Sequence, residues 1–230
     1  MRILNYILLS SLLLLTLPCA TNAQEANDTI IADGKLTFKG ISISADLFGY
    51  ASALLDEGTS GEVAIEANLG NRIFPVIEAG YGSIDITDEN FGIHYKSGAP
   101  FMRVGLNYNF SYTKGKPIRP NYVYGALRFG CSRMKYDVSS PPIHDPVWGG
   151  ELPFSHDNVN GFASWIELGV GVNVRIMKHF RMGWCIRYKA RANVVNSNNS
   201  NVGYIPGFGT NRHTRFGATY SLIYEIPFKK

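Results

Sequence analysis

The residues of this chain that could do chemistry fall into two groups. The first is a pair of short runs, His144-Asp145 and Ser155-His156-Asp157, which set imidazoles beside carboxylates and one hydroxyl. A hydrolase working at a lipid-facing rim needs a histidine, a hydroxyl and a carboxylate converging on one point. Sequence neighbours rarely point at one another in that way, so these runs are read as non-catalytic. As metal ligands, His144, Asp145, His156 and Asp157 match no standard spacing. No Gly-rich phosphate loop of the P-loop or dinucleotide type occurs either. An enzyme, a metal site and a cofactor are therefore not expected. The second group is a stripe of cations. Arg181, Arg187, Lys189 and Arg191 share one parity, with Met182, Trp184, Ile186, Tyr188 and Ala190 between them. The chemistry open to such a stripe is ion pairing. Acids of matching parity come earlier, at Asp46, Glu62, Glu66 and Glu78, and the same face later carries Arg103, Arg128, Glu167, Arg175, Arg215 and Glu225. These cations sit inside strand-like segments rather than on an exposed basic stripe, so nucleic acid is not expected as a partner.

The elements that must position this stripe are β-strands. From 162 to 176 the chain alternates with period two. Ile166, Leu168, Val170, Val172, Val174 and Ile176 take one face; Trp165, Glu167, Gly169, Gly171, Asn173 and Arg175 take the other. Successive side chains of a strand point to opposite faces, so one face is oily and the other small, polar or charged. The pattern recurs over 40–54, 62–69, 73–84, 101–112, 122–136, 180–192 and 214–228, which makes eight segments. Pro75 lacks a ladder donor and is expected near a strand start or at a bulge. Cys131 falls on the oily face and Cys185 on the polar one, so a bridge between them is not expected.

Residues 1–23 read as a signal peptide, with a basic start at Arg2, a short apolar run and small residues at Thr21-Asn22-Ala23. Residues 24–39 read as a short periplasmic tail and 40–230 as the barrel. After the signal no apolar stretch is long enough for a membrane helix. The connections at 85–100, 137–161 and 193–213 are long, and each exceeds the even-numbered connection that follows it, where one does. Outer-membrane barrels sort their connections in this way, with long loops outside the cell and short turns in the periplasm. An even strand count then leaves both termini periplasmic. Cations of the stripe would cost about 2–4 kcal/mol each in hydrocarbon at mid-depth, so they are expected to face inward. A narrow lumen is filled by side chains, and the acidic early strands should meet the basic late ones there in charge-assisted bonds.

The expected fold class is all-β: an eight-stranded antiparallel up-and-down transmembrane β-barrel, in contact with outer-membrane lipid. The segment Tyr220-x-Leu222-x-Tyr224-x-Ile226-x-Phe228, with the signal peptide and the alternating loop lengths, resembles the small OmpX/OmpA-type outer-membrane β-barrel families. That resemblance implies recognition of the last strand by the outer-membrane assembly machinery. Lys229-Lys230 depart from a strictly terminal aromatic residue. The expected function is a structural or surface-interaction role without catalysis. Trp148 and Phe154, in a Pro-rich loop, are candidates for contact with an extracellular protein or glycan. Two other readings stand beside it: a soluble periplasmic lipocalin-like barrel with the oily face inward around an apolar ligand, and an outer-membrane lipid-modifying enzyme.

Overall fold

The computed structural model describes residues 31–32, 34–52, 58–88, 92–144, 151–196 and 202–226. The signal peptide assigned to 1–23, Asp145, Trp148 and Phe228 lie outside the described residues, as do the side chains of His144 and Phe154. The strands are β1 (Phe38–Asp46), β2 (Thr59–Leu69), β3 (Ile73–Asp88), β4 (Ile93–Asn109), β5 (Tyr122–His144), β6 (Glu151–Met177), β7 (Phe180–Asn196), the two-residue strands β8 (Tyr204–Ile205) and β9 (Gly209–Thr210), and β10 (Thr214–Ile226). A short helix, α1 (Leu47–Ser52), follows β1.

Eight of these strands close into one barrel in the order β1-β10-β7-β6-β5-β4-β3-β2, every pair antiparallel. The seam runs from Ile41↔Ile226 to Asp46↔Ser221, so the ring has no open edge there. The period-two pattern sets which face is out. Ile43, Ile65, Ile77, Val104, Phe129, Leu168, Ile186 and Phe216 all stand exposed on the outer wall, Ile186 at 67% and Phe216 at 71%. Glu62, Glu78, Arg103, Arg128, Glu167 and Arg187 are buried inside. A soluble carrier barrel requires the reverse arrangement, and this inside-out burial removes that reading. The free cysteines obey the same parity: Cys131 is half-buried in the outer wall and Cys185 is buried within.

Three expectations are corrected. First, β1 ends at Asp46 and does not continue to 54. The Asp46 carboxylate accepts hydrogen bonds from the backbone N–H groups of Phe48 and Gly49, at 3.1 and 3.3 Å. This caps α1 and turns the chain out of the ladder. Second, 85–100 and 137–161 are largely strand rather than loop. β3 and β4 pair out to Asp88↔Ile93, and β5 and β6 pair out to His144↔Glu151. The loop-length asymmetry is thus carried mostly by strand length, as two tall hairpins. In these extensions the alternation inverts, with polar residues such as Lys96 and Lys135 outward and Tyr95, Met134 and Tyr136 inward, while the ladders continue. Third, 193–213 is not simply a surface loop. β7 runs on to Asn196, and Val202 and the run Ile205 to Phe208 are buried in the barrel mouth.

The opposite end is closed by the turn at 70–72, the turn at 178–179 and the connection 110–121. Asn71 adopts a left-handed φ of 58° in the first of these, and its N–H donates to the Asn68 side chain at 2.8 Å. Pro75 lies near the start of β3, where no β2 pair forms between Glu66↔Val76 and Leu69↔Ile73.

Candidate functional site

The barrel interior is built in three layers, and cross-strand register explains how so narrow a space holds them. Phe101 lies opposite Gly80, Trp165 opposite Gly130, and Tyr124 opposite Gly171. A Cβ added at each of these glycines would approach the facing ring to 2.4 Å. Each glycine is therefore the slot into which a neighbouring strand folds a large inward ring.

The middle layer is ionic. Arg103 contacts Glu62 and lies 3.0 Å from Glu78 and 3.5 Å from Glu167. Arg187 reaches Glu78 at 3.1 Å, Glu167 at 3.4 Å and Glu62 at 3.5 Å. Arg128 Nε donates to Glu78 at 2.9 Å, and its terminal nitrogens reach Leu106 O and Asn107 Oδ1. Trp165 Nε1 donates to Glu167 at 2.7 Å. These residues belong to β2, β3, β4, β5, β6 and β7, so six consecutive strands are tied through the interior. Buried ions lose hydration, and only multiple good contacts offset that loss; here Glu78 meets three guanidinium groups. The β1–β10 side carries small polar side chains instead, including Ser42, Ser44, Thr219 and Ser221. They line a cavity of about 40 Å³, space for one or a few waters.

The upper layer is apolar and closes the mouth. Tyr95, Phe101, Met134, Tyr136, Val159 and Trp165 pack with Val202, Ile205 and Phe208 of the inserted segment. Phe208 meets the Trp165 ring edge-on at 5.9 Å. Two cations of the stripe and Arg215 of β10 hold this plug. Lys189 Nζ donates to Gly207 O at 2.7 Å, Arg191 donates to the Asn211 side chain, and Arg215 donates to Thr210 Oγ1 at 2.9 Å. The Tyr204 N–H donates to Tyr95 Oη at 3.2 Å. In the lower layer Phe74 stacks on Tyr122 at 5.5 Å, and Arg181 stands over the Tyr122 ring. Arg181 and Arg175 share Glu225, at 2.7 and 3.4 Å.

The predicted lumen residues therefore divide by task. Glu62, Glu78, Arg103, Arg128, Glu167 and Arg187 meet in the central network, with Lys189 at its edge, 3.8 Å from Glu167. Arg175, Arg181 and Glu225 form a separate group at the lower end. Arg191 and Arg215 hold the plug. Glu66 accepts from the Asn107 side chain. Asp46 caps α1 and also accepts the Tyr220 N–H at 2.9 Å. The plug and the inward aromatic layer were missed in the sequence, where Tyr204-Ile205-Pro206-Gly207-Phe208 offered one signal: a Pro-Gly turn with apolar flanks inside a polar connection.

On the outer wall Tyr220, Leu222, Tyr224 and Ile226 face out along β10, with Tyr220 against Trp184 and Tyr224 against Phe180. The histidine-bearing runs form no triad among the described residues. Ser155 Oγ donates to Asp157 at 3.1 Å, and His94 is bonded to Asp85 at 2.7 Å. No cluster of His, Cys, Asp and Glu able to hold a metal occurs among the described residues.

The model of the family described as a domain of unknown function, DUF6048, matches residues 3–230. The chain belongs to that family. No curated protein matches it. Two solved structures are similar at low identity. Neisserial surface protein A (NspA) is 12% identical with a TM-score of 0.48, over 83% of this chain and 99% of that one. A major outer membrane protein from Thermus thermophilus is 11% identical with a TM-score of 0.46, over 81% of this chain and 98% of that one. The barrel assignment for this DUF6048 chain rests on its own strand pairing.

Proposed function

We propose that this protein spans the outer membrane as a closed, plugged barrel of the OmpX/OmpA type and serves a structural or surface-interaction role without catalysis. One observation carries the reading: around the ring, the outward residues in the middle of every barrel strand are apolar, while the charges at that level turn inward. On β10 the band runs from Phe216 to Ile226, 11 residues, within the roughly 9–11 that a tilted strand needs to cross a bilayer. Aromatic residues mark its margins, with Tyr81, Phe162, Tyr188 and Phe216 near one edge and Phe110, Phe180 and Tyr224 near the other. Such girdles belong at membrane–water interfaces. An apolar belt of that extent exposed to water would drive aggregation.

In this reading both termini lie in the periplasm and the β3–β4 and β5–β6 hairpins stand above the cell surface. Trp148, which lies between β5 and β6 in the sequence, and Phe154 are offered to an extracellular protein or glycan. The outward residues of β10 are offered to the outer-membrane assembly machinery. The plug and the ionic layer keep the lumen shut. The test is refolding into lipid vesicles, followed by gel mobility with and without boiling and by single-channel recording in planar bilayers. The reading expects a heat-dependent mobility shift and no discrete channel steps. A steady open conductance contradicts the closed lumen, and absence of the shift contradicts the membrane barrel.

A further inference from the structure

We infer that the outer wall of the β3–β4–β5 sector binds the phosphate-bearing head of a lipid in the leaflet beside the tall hairpins. The inference rests on the membrane-spanning reading above. A groove of about 520 Å³ opens on this wall, with Ser83 and Gly98 in its floor and Tyr81, Lys96, Lys135 and Asp137 at its sides. Register places it at the upper margin of the apolar band. Tyr81 is paired with Pro100, and one row higher Ser83, Gly98 and Lys135 lie side by side. One row below, Ala79 and Met102 begin the oily wall that continues through Ile77, Val104 and Phe129. A molecule seated in the groove would thus have its chains directed down that wall.

The charges suit an anion. Arg133, Lys135 and Lys96 project from the same face of β4 and β5 and are exposed. Among the described residues Arg133 and Lys135 have no acidic partner. Two acids, Asp85 and Asp137, also line the groove, and each has a donor of its own. Asp85 is bound by His94 at 2.7 Å and Lys96 at 3.1 Å, and Asp137 accepts the Asn158 N–H at 2.7 Å. The Tyr81 hydroxyl lies over the Gly98 floor, where an added Cβ would meet it at 2.8 Å. Lys135 in the groove wall, Arg133 two residues before it on the same face of β5, and the Tyr81 hydroxyl over Gly98 provide charge-assisted donors for phosphate oxygens. Anionic headgroups attract such basic residues at a bilayer surface. Continuity with the apolar band selects a lipid as the source of the phosphate.

The experiment is native mass spectrometry of the full-length refolded barrel, released from detergent, titrated with diphosphorylated lipid A, with its dephosphorylated form and with phosphatidylcholine. Wild type is expected to retain the phosphorylated lipid at least 10-fold more tightly than the other two. The triple variant Lys96→Gln, Arg133→Gln, Lys135→Gln is expected to lose that preference, and Lys114→Gln with Lys116→Gln, at the other end, to keep it. Gly98→Leu fills the groove while leaving the cations in place and is expected to weaken binding by at least 10-fold, which covers a triple variant that fails to fold. Inorganic phosphate at millimolar concentration should not compete. Equal binding by the triple and Gly98→Leu variants, equal binding of the dephosphorylated lipid, or competition by inorganic phosphate overturns the site. If the heat-dependent gel shift is retained in each of those cases, the membrane reading survives the loss of the site; if wild type lacks the shift, both fall.

Discussion

Arg103 and Glu225 both make ion pairs, yet they stand in different dielectrics. Arg103 is almost fully buried among Glu62, Glu78 and Glu167, whereas Glu225 is partly open beside Arg175 and Arg181. Arg103→Met leaves three carboxylates facing one another without it, so it should cost about 3–5 kcal/mol. Glu225→Gln should cost about 1 kcal/mol or less. Urea unfolding midpoints in lipid vesicles compare the two, and equal shifts would remove the network from the account. Steric economy gives a second expectation at this scale. Gly130→Val drives a side chain into the Trp165 ring and should destabilise by about 1–3 kcal/mol, whereas Gly115→Ala meets no neighbouring atom and should cost only the strain of an L-residue at a left-handed φ of 77°, about 1 kcal/mol. A third concerns pH. The bonds from His94 and then Lys96 hold the exposed Asp85 carboxyl below the usual carboxylate range. A lowered folded value means that the clamp is present above the unfolded value and is lost as pH falls through the folded one. The Asp85 carboxyl followed by NMR should titrate low, and replacing both partners should return it to the ordinary range. Parity alone made these residues legible: Glu167 in and Leu168 out, Cys185 in and Cys131 out. The partner of each charge was not legible, because pairing through a lumen depends on which strands face one another across it.

Among the elements, the inserted segment 202–210 and the central ionic layer stand in series along the lumen. Replacing Ile205–Phe208 by a Gly-Ser linker should open the mouth but leave the layer of Glu78, Arg103, Arg128 and Arg187 beneath it. Planar-bilayer recordings of that variant should remain without steady conductance, and a stable pore would assign the seal to the plug alone. The strands themselves were readable wherever one face meets lipid, because hydrophobicity then alternates. Their upper extensions were not. Around Asp85, Lys96, Lys135 and Asp137 the pattern inverts, with polar residues outward and Ile84, Tyr95, Met134, Tyr136 and Val138 packed inward, so the oily parity no longer marks the outer face. The plug was hidden for a different reason. Its burial is created by contacts with Phe101 and Trp165, which are distant in sequence. The helix α1 was missed because Asp46 was read only as a lumen charge, and its capping bonds compete with the strand.

At the scale of the whole molecule, the tie across β2 to β7 and the small polar side chains at the β1–β10 seam make an unevenly braced ring. Such a ring suits a rigid support for two projecting hairpins better than it suits a conduit. The claim on which everything else depends is that the outer wall touches acyl chains. Nitroxide labels at single cysteines test it most directly, placed at Ile77, Val104, Leu168 and Ile186 on the wall and at Lys135 above it, in a Cys131→Ser, Cys185→Ala background. In lipid vesicles the four wall labels should collide with dissolved oxygen and be shielded from a water-soluble nickel chelate, while the label at 135 shows the reverse. Free access of the nickel chelate to the four wall positions would contradict the account.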